Sequence, residues 1–329
     1  MPFFLSLLFG FFPMLINATW VYWLDRFEQE PKRLLGFVFL WGAFIAAVGA
    51  LIFNSLWEVG FYFLTNSERL SSLSTYIISA PLIEEFLKGF AVLLVYLLYR
   101  HEFDSVMDGI VYASVTALGF AATENVFYIY EKGYVEGGYS GLFALTFIRV
   151  VLVGWQHPFY TAFTGIGLAI SRLSRSTFWK WTAPVLGFGA AIFTHSVHNL
   201  ISSVYPSIQT CLLGLIIDWS GWIAMFIFVV YTLFREHHLL EKYLEEEISL
   251  GTITEIQFSR TLSFSHRVFD PLLHIFTGKY ALVGRFYQLC GELAHKKAQH
   301  TQVGNDLNYR EQIEGYRAEL SQISRLLSA

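Results

Sequence analysis

Residues 34–64 read LLGFVFLWGAFIAAVGALIFNSLWEVGFYFL, an apolar run broken by a single charge, Glu58. A bilayer's hydrocarbon core takes about 20 such residues per helix, and a helix satisfies its own backbone hydrogen bonds there. Working outward, residues 3–24, 73–99, 106–130, 141–171, 182–204 and 210–234 have the same length and character. The composition agrees: 54% of the 329 residues are hydrophobic and only 15% charged, against about 25% charged in a soluble domain. Mean hydropathy is +0.47. A soluble enzyme and a disordered chain are excluded. So is a nucleic-acid binder, because 22 basic residues face 26 acidic ones. Cys211 and Cys290 are the only cysteines, too few for a disulfide framework or a cysteine-based zinc module. The fold class is therefore an all-α, polytopic membrane helix bundle of about seven to eight spans.

The first stretch differs from a signal peptide. It lacks a basic leading region and a small-residue cleavage site, and it ends in Trp20, Tyr22 and Trp23, an interfacial aromatic belt. It reads as a retained helix. Arg26, Lys32 and Arg33 lie in the first connection, Arg100 in the third, and Arg172, Arg175 and Lys180 in the fifth, whereas the second has Arg69 and the fourth Lys132. The positive-inside rule then puts the N-terminus outside and the C-terminus in the cytoplasm of a multi-pass cell (plasma or inner) membrane protein. From Arg235 on, in REHHLLEKYLEEEISL, the chain becomes charged and helix-forming. The expected organisation is a transmembrane core over 1–234 and a cytosolic, amphipathic helical tail over 235–329.

Charges inside a bilayer cost about 2.5–3.5 kcal/mol each, so those within the spans must face the bundle interior. In PLIEEFLKGF, Glu84 and Lys88 are four residues apart and can pair on one helical face, with Glu85 rotated about 100° away. Pro81 frees a carbonyl one turn earlier. Glu124 stands beside Asn125 in the fourth span and His157 in the fifth, while the sixth has His195, His198 and Asn199. His195 and Asn199 share a face from which His198 is turned. At 1.5 Å per residue, Glu84 lies about 16 Å below the outer end of its span, Glu124 about 9 Å, His157 about 24 Å and His195 about 13 Å. Four helices can thus bring these groups to one polar site. Asp108 and Arg149 stand nearer span ends, where snorkelling accounts for them.

The spans contain no GxSxG, no HExxH, no cysteine–histidine pair and no mid-span aspartate dyad. What remains suits activation of water: a carboxylate base in Glu84 or Glu85, assisted by Glu124 and His157, with His195 and Asn199 as oxyanion donors and Lys88 neutralising one glutamate. Alternatively Glu85, Glu124, His157 and His195 hold a divalent metal such as zinc. Two further readings use the same groups, an ion or proton transporter and a silent scaffold. Matched, glycine-interrupted half-helices are not seen, and a silent descendant has no use for costly buried carboxylates.

The chain resembles the PrsW family of intramembrane proteases, within the wider group of type II CAAX prenyl endopeptidases. The resemblance rests on LDRFEQEPKRLL at 24–35, EEFLK at 84–88, FAATEN at 120–125, HPFYTAFTGIGLAIS at 157–171 and HSVHN at 195–199. ELAHKKAQH at 292–300, followed by YREQIEGYRAEL, is similar to the family's cytoplasmic end. The resemblance implies that Glu84, Glu85 and Lys88 form the first motif, Phe120 and Glu124 the second, His157 the third, and His195 with Asn199 the fourth. The CAAX enzymes have a histidine where this chain has Glu124. The resemblance further implies a membrane-anchored protein as substrate and partner besides the lipid bilayer, with cleavage of an anti-sigma factor in stress signalling as the family's role. A prenyl-protein endopeptidase is the neighbouring alternative.

Overall fold

The computed structural model describes residues 1–24, 30–103, 105–204, 208–303 and 307–328. Residues 25–29 of the LDRFEQEPKRLL motif, Arg26 among them, lie outside the described residues. Among those described there is no strand. The chain forms two compact units, one of residues 1–23 and 30–227, the other of residues from Phe228 onward.

The first unit opens with α1 (Pro2–Leu24). Lys32 to Thr65 is one continuous helix, made of α2 (Lys32–Leu40), a π-helical stretch Trp41–Ala46 and α3 (Ala47–Thr65). Next come α4 (Glu68–Ser74), a π-helical stretch Thr75–Ser79 and α5 (Ala80–Leu98). α6 (Val106–Phe127) runs on through a π-helical stretch Tyr128–Val135, and α7 (Glu136–Thr146) folds back on that stretch before a π-helical end, Phe147–Leu152. α8 (Gln156–Leu173) and α9 (Thr177–Val204) follow, and α10 (Ile208–Ser249) contributes its first part to this unit.

Among the described residues, four stretches are long and apolar enough to cross a membrane: Pro2–Trp23, Lys32–Thr65, Val106–Leu173 and Leu212–Ser249. They contain five of the seven stretches read from the sequence. The other two are α5 and α9, and their polar residues explain the difference. Glu84, Glu85 and Lys88 interrupt α5, and His195, His198 and Asn199 interrupt α9.

α6 is the buried centre, enclosed from Met107 to Ala122. α8, α5 and the Lys32–Ala46 helix pack around it, and α9 packs on α8. Small residues permit the α6–α8 crossing. A Cβ on Gly165 would fall 1.9 Å from the Gly109 carbonyl oxygen, so the two backbones touch. In lipid, where no hydrophobic force joins helices, this close approach supplies the packing energy. Large apolar side chains such as Phe53, Leu56, Phe63 and Phe193 point outward. Asp108, expected to snorkel, is instead buried at the start of α6. Its carboxylate accepts from the Ser105 backbone at 2.7 Å while its own N–H donates to Ser105 Oγ at 3.1 Å, a capping box.

The second unit holds the end of α10, α11 (Glu255–Leu262), α12 (Phe264–Leu273), α13 (Tyr280–Val303) and α14 (Leu307–Ser328). Its core joins Leu240 and Leu244 to Tyr287, Leu289, Leu293, Leu320 and Ile323. Cys290 lies in that core, and burial pushes its thiol up to about 12, so it is no nucleophile at neutral pH.

Candidate active site

The first motif sits on α5 just after a π-helical turn. There the Ala80 N–H donates to the Thr75 carbonyl, a five-residue step. Continued once more, that register would bring residue 81 beneath the Tyr76 carbonyl, but Pro81 has no N–H. The Asn199 side-chain amide fills the gap, donating to the Tyr76 carbonyl at 2.8 Å. Asn199 therefore fastens α9 to the start of α5. Expected as an oxyanion donor beside His195, it has its amide committed to backbone.

One turn on, Lys88 meets both glutamates, with the opposite preference to the expected one. Its Nζ is 2.6 Å from Glu85 Oε1 and 3.8 Å from Glu84 Oε2. The i,i+3 pair wins because Glu85 is drawn inward by two further donors. Thr161 Oγ1 of α8 donates to Glu85 Oε2 at 2.8 Å, and His195 Nδ1 lies 3.0 Å from Oε1. Glu85 is fully buried and both its oxygens are engaged. Lys88, also fully buried, completes its shell with His157 Nδ1 at 3.3 Å and the Phe120 ring at 4.3 Å.

His157 arrives by a route that the sequence pattern hid. The stretch 141–171 is not one helix: it breaks at residues 153–155, and α8 starts at Gln156. His157 thus sits in the first turn of a new helix, so a depth counted along a continuous span does not apply to it. It is level with Glu124, whose Oε2 is 2.8 Å from His157 Nε2. Arg149, expected to snorkel, donates from Nη2 to the same Glu124 oxygen at 2.5 Å and from Nε to Asn125 Oδ1 at 2.8 Å, with its guanidinium 4.1 Å over the Tyr128 ring. It is a site residue that its position near a span end disguised.

Hydrogen-bond complementarity assigns the two imidazoles opposite neutral tautomers. Lys88 can only donate to His157 Nδ1, so His157 carries its proton on Nε2 and gives it to Glu124. Glu85 can only accept from His195 Nδ1, so His195 is protonated there and turns the lone pair of Nε2 outward. That lone pair lies 3.9 Å from Glu84 Oε2. Glu84 Oε2 is buried and has no hydrogen-bond partner, and neither has the buried Tyr160 hydroxyl, whose ring stacks on His195 at 4.8 Å. Glu84, His157, Tyr160 and His195 line a cavity of about 1100 Å³. Its walls reach Glu58, two turns before the end of α3, Arg69 at the start of α4 and Ser202 near the end of α9.

Candidate metal ligands differ from expectation. Glu84, His157 and His195 offer donor atoms within 4.8 Å of one another, whereas Glu85 and Glu124 are committed to Lys88, Thr161, Arg149 and the histidines. The set fits a divalent ion in its open carboxylate oxygen and in His195, whose other nitrogen donates to a carboxylate as metal-binding histidines do. His198 heads a neighbouring group. Its Nδ1 is 3.0 Å from Asp218 Oδ2, which also accepts from Gln156 Nε2 at 2.6 Å. Gln156, Asp218, Tyr160 and Thr161 complete the site beyond the residues that the sequence singles out. Gln156 and Asp218 lie within the stretches 141–171 and 210–234 as isolated polar residues, and Tyr160 and Thr161 fall three and four residues after His157, on its own helical face.

Residues 30–233 match the PrsW family of intramembrane metalloproteases. The chain is 28% identical over 193 residues to Protease PrsW of Geobacillus kaustophilus, covering 58% of this chain and 76% of that one. Protease PrsW of Oceanobacillus iheyensis is 27% identical, over 60% of this chain and 83% of its own. Protease PrsW of Clostridioides difficile is 34% identical over 38% of this chain and half of its own. No solved structure matches. Motifs in order, buried acidic and imidazole groups meeting across four helices, and a match over most of the membrane unit lead to one conclusion: the chain is a membrane protein that belongs to the PrsW family of intramembrane proteases.

Proposed function

We propose that the first unit hydrolyses a peptide bond of a membrane-anchored protein, close to the outer leaflet, with Glu84 as the base that takes a proton from water. One observation carries this reading: a buried carboxylate oxygen without a partner faces a histidine lone pair 3.9 Å away on the wall of a large cavity. A water molecule donating to Glu84 Oε2 and His195 Nε2 is oriented for attack and loses its proton to Glu84. Glu85 fixes the His195 tautomer and neutralises Lys88, and Glu124 does the same for His157 and Arg149. Tyr160, stacked on His195 with an uncommitted hydroxyl, is the donor for the developing oxyanion. Glu84 then returns its proton to the departing amine. A divalent cation held by Glu84 and His195, joined by His157 once its ring gives up Lys88 or Glu124, would polarise the carbonyl and acidify the water.

Seven crossings are proposed, with the N-terminus outside and the C-terminus in the cytoplasm. α5 and α9 are counted as spans despite their polar residues, and α8 is the membrane part of the fifth. Under this orientation the cavity opens outward, beside Glu58, Arg69 and Ser202. That supports an extracytoplasmic cut in a substrate such as an anti-sigma factor.

The test is cleavage of a single-span reporter by the full chain in proteoliposomes, with a farnesylated CAAX peptide assayed in parallel. Glu84→Gln is expected to insert, melt like the parent and leave the reporter intact. Unchanged cleavage by this variant sinks the mechanism, and cleavage confined to the farnesylated peptide replaces the substrate class. Chelation followed by metal add-back reports on the cation.

A further inference from the structure

The second unit lies almost wholly beyond the family match, which ends at residue 233, and it carries an amphipathic element turned inside out. In α12 two charged residues face inward: Arg267 is 5% exposed and Asp270 8%. Asp270 is locked there, its Oδ2 accepting from the Tyr287 hydroxyl at 2.6 Å and its Oδ1 lying 3.0 Å from His266 Nδ1. The apolar residues face out. Phe269, Leu272 and Leu273 recur at the i, i+3, i+4 spacing of one helical stripe; Leu273 is 71% exposed, and Phe276, in the turn just beyond α12, is 97% exposed. After α12 the chain makes a turn closed by Gly278, whose φ of +71° is the left-handed conformation that glycine adopts freely. That turn holds Ile275 and Phe276 at its tip.

A soluble body gains nothing by hiding Asp270 while offering phenylalanine to water, since each such side chain forgoes its burial free energy. We propose that α12 and the turn after it are a membrane-surface anchor, inserting Phe269, Leu273 and Phe276 into the headgroup–acyl boundary of a bilayer that contains anionic lipid. Charge complementarity selects that occupant. Lys279 follows the turn directly, and Arg260, 3.9 Å from Asp270, keeps 53% of its side chain exposed, so the free charges beside this apolar segment are basic and suit anionic headgroups. The same chain contains Leu212–Ser249, long and apolar enough to cross a membrane, so a bilayer is always at high effective concentration for the tail. A soluble partner would have to find it from dilute solution.

The experiment uses the full chain in vesicles of phosphatidylcholine with a minority of phosphatidylglycerol. A fluorescent NBD amino acid replaces Phe276 in one protein and the exposed Glu311 of α14 in another. At 276 the emission is expected to be blue-shifted, quenched several-fold by nitroxide on the lipid acyl chain and shielded from aqueous iodide; at 311 the pattern reverses. Adding Phe269→Asp and Leu273→Asp, both on exposed positions, removes the lipid quenching at 276. Equal access of iodide to both labels overturns the proposal. So does a 276 label shielded from iodide and lipid nitroxide alike, which would report a protein contact such as a second copy of the chain.

Discussion

Two buried glutamates, Glu247 in the second unit and Glu84 in the first, separate what holds a fold from what performs a reaction. Glu247 Oε1 accepts from Lys297 at 2.8 Å and Arg317 Nη2 at 2.7 Å, and its Oε2 from Arg317 Nε at 2.9 Å and Thr252 Oγ1 at 2.8 Å. Burial alone would raise its pKa, but the hydrogen bonds from Arg317, Lys297 and Thr252 outweigh it and hold the carboxyl at about 2. Within the first unit Glu85 is treated alike, with Lys88, Thr161 and His195 around it. Glu84 is also buried, at 7% exposure against 0% for Glu85, and has the same neighbouring ammonium, yet its buried Oε2 remains without a hydrogen bond. A buried polar atom left unsatisfied costs about 1–3 kcal/mol. A helix bundle that satisfies Glu85 and Glu247 completely has kept that cost at one position, where a reacting water needs an acceptor.

The largest expected effect breaks this comparison or upholds it. Glu84→Gln should lower reporter cleavage by about 10²–10⁴-fold, the range for loss of a general base, while the thermal midpoint stays where it was. In the second unit, Glu247→Gln should do the converse. It leaves Lys297 and Arg317 partly uncompensated and destabilises the tail by about 3–5 kcal/mol, read as faster limited proteolysis of residues beyond 234, with cleavage of the reporter retained. A thermally crippled Glu84→Gln, or a neutral Glu247→Gln, would erase the distinction.

Tyr160→Phe sharpens the same contrast inside the first unit. As the stacked donor it should lose about 10²–10³-fold in kcat with little change in KM or stability, since the phenol has no partner to abandon. A purely structural tyrosine would move stability and leave kcat alone.

Titration offers a further division. Glu247 has a folded-state value of about 2, below its ordinary 4.5. A lowered carboxyl contributes stability that is fully present above the unfolded value and drains away as pH falls through the folded one. Tail compactness, followed by proteolysis or near-ultraviolet dichroism, should therefore hold from pH 8 to about 5 and fall progressively towards pH 2. Glu247→Gln should flatten that dependence; an unchanged acid transition would mean that another group governs it.

How much of this was legible beforehand follows from which physical signal each residue emits. Glu84, Glu85, Lys88, Glu124, His157 and His195 stand out because lipid penalises them, and the structure gathers all six in one cluster. The Lys88 partner was not legible, because i,i+3 and i,i+4 are both within reach on a helix and the choice was made by Thr161 and His195 from other helices. Arg149 stands near a span end, where snorkelling is the rule for side chains free to reach water; the rule fails when a half-buried carboxylate waits 2.5 Å away. The break at 153–155 has two local cues in LVGWQHP, Gly154 within it and Pro158 in the first turn of α8, but both are masked by the apolar run on either side. The inverted α12 shows as a hydrophobic stripe in sequence, but periodicity does not say which side of a stripe meets the protein.

Asn199 is the smallest case. Helical spacing put it on the His195 face and so into the reaction, yet its amide donates to the Tyr76 carbonyl that Pro81 leaves without a backbone donor. A half-open site lets water replace a lost donor, so Asn199→Ala should cost about 0.5–1.5 kcal/mol, the net worth of one hydrogen bond. Cleavage should fall only as far as α9 shifts His195 relative to Glu84. Asn199→Asp, which keeps the shape but cannot donate, should behave like the alanine variant, whereas Asn199→Gln should recover part of the stability by reaching the same carbonyl. If instead Asn199→Ala matched Tyr160→Phe in kcat with an unchanged thermal midpoint, the amide would be serving the oxyanion and the tether reading would fall. A tether and a catalytic donor differ in which quantity they move, and that difference separates Asn199 on α9 from Tyr160 on α8 in their claims on the same site.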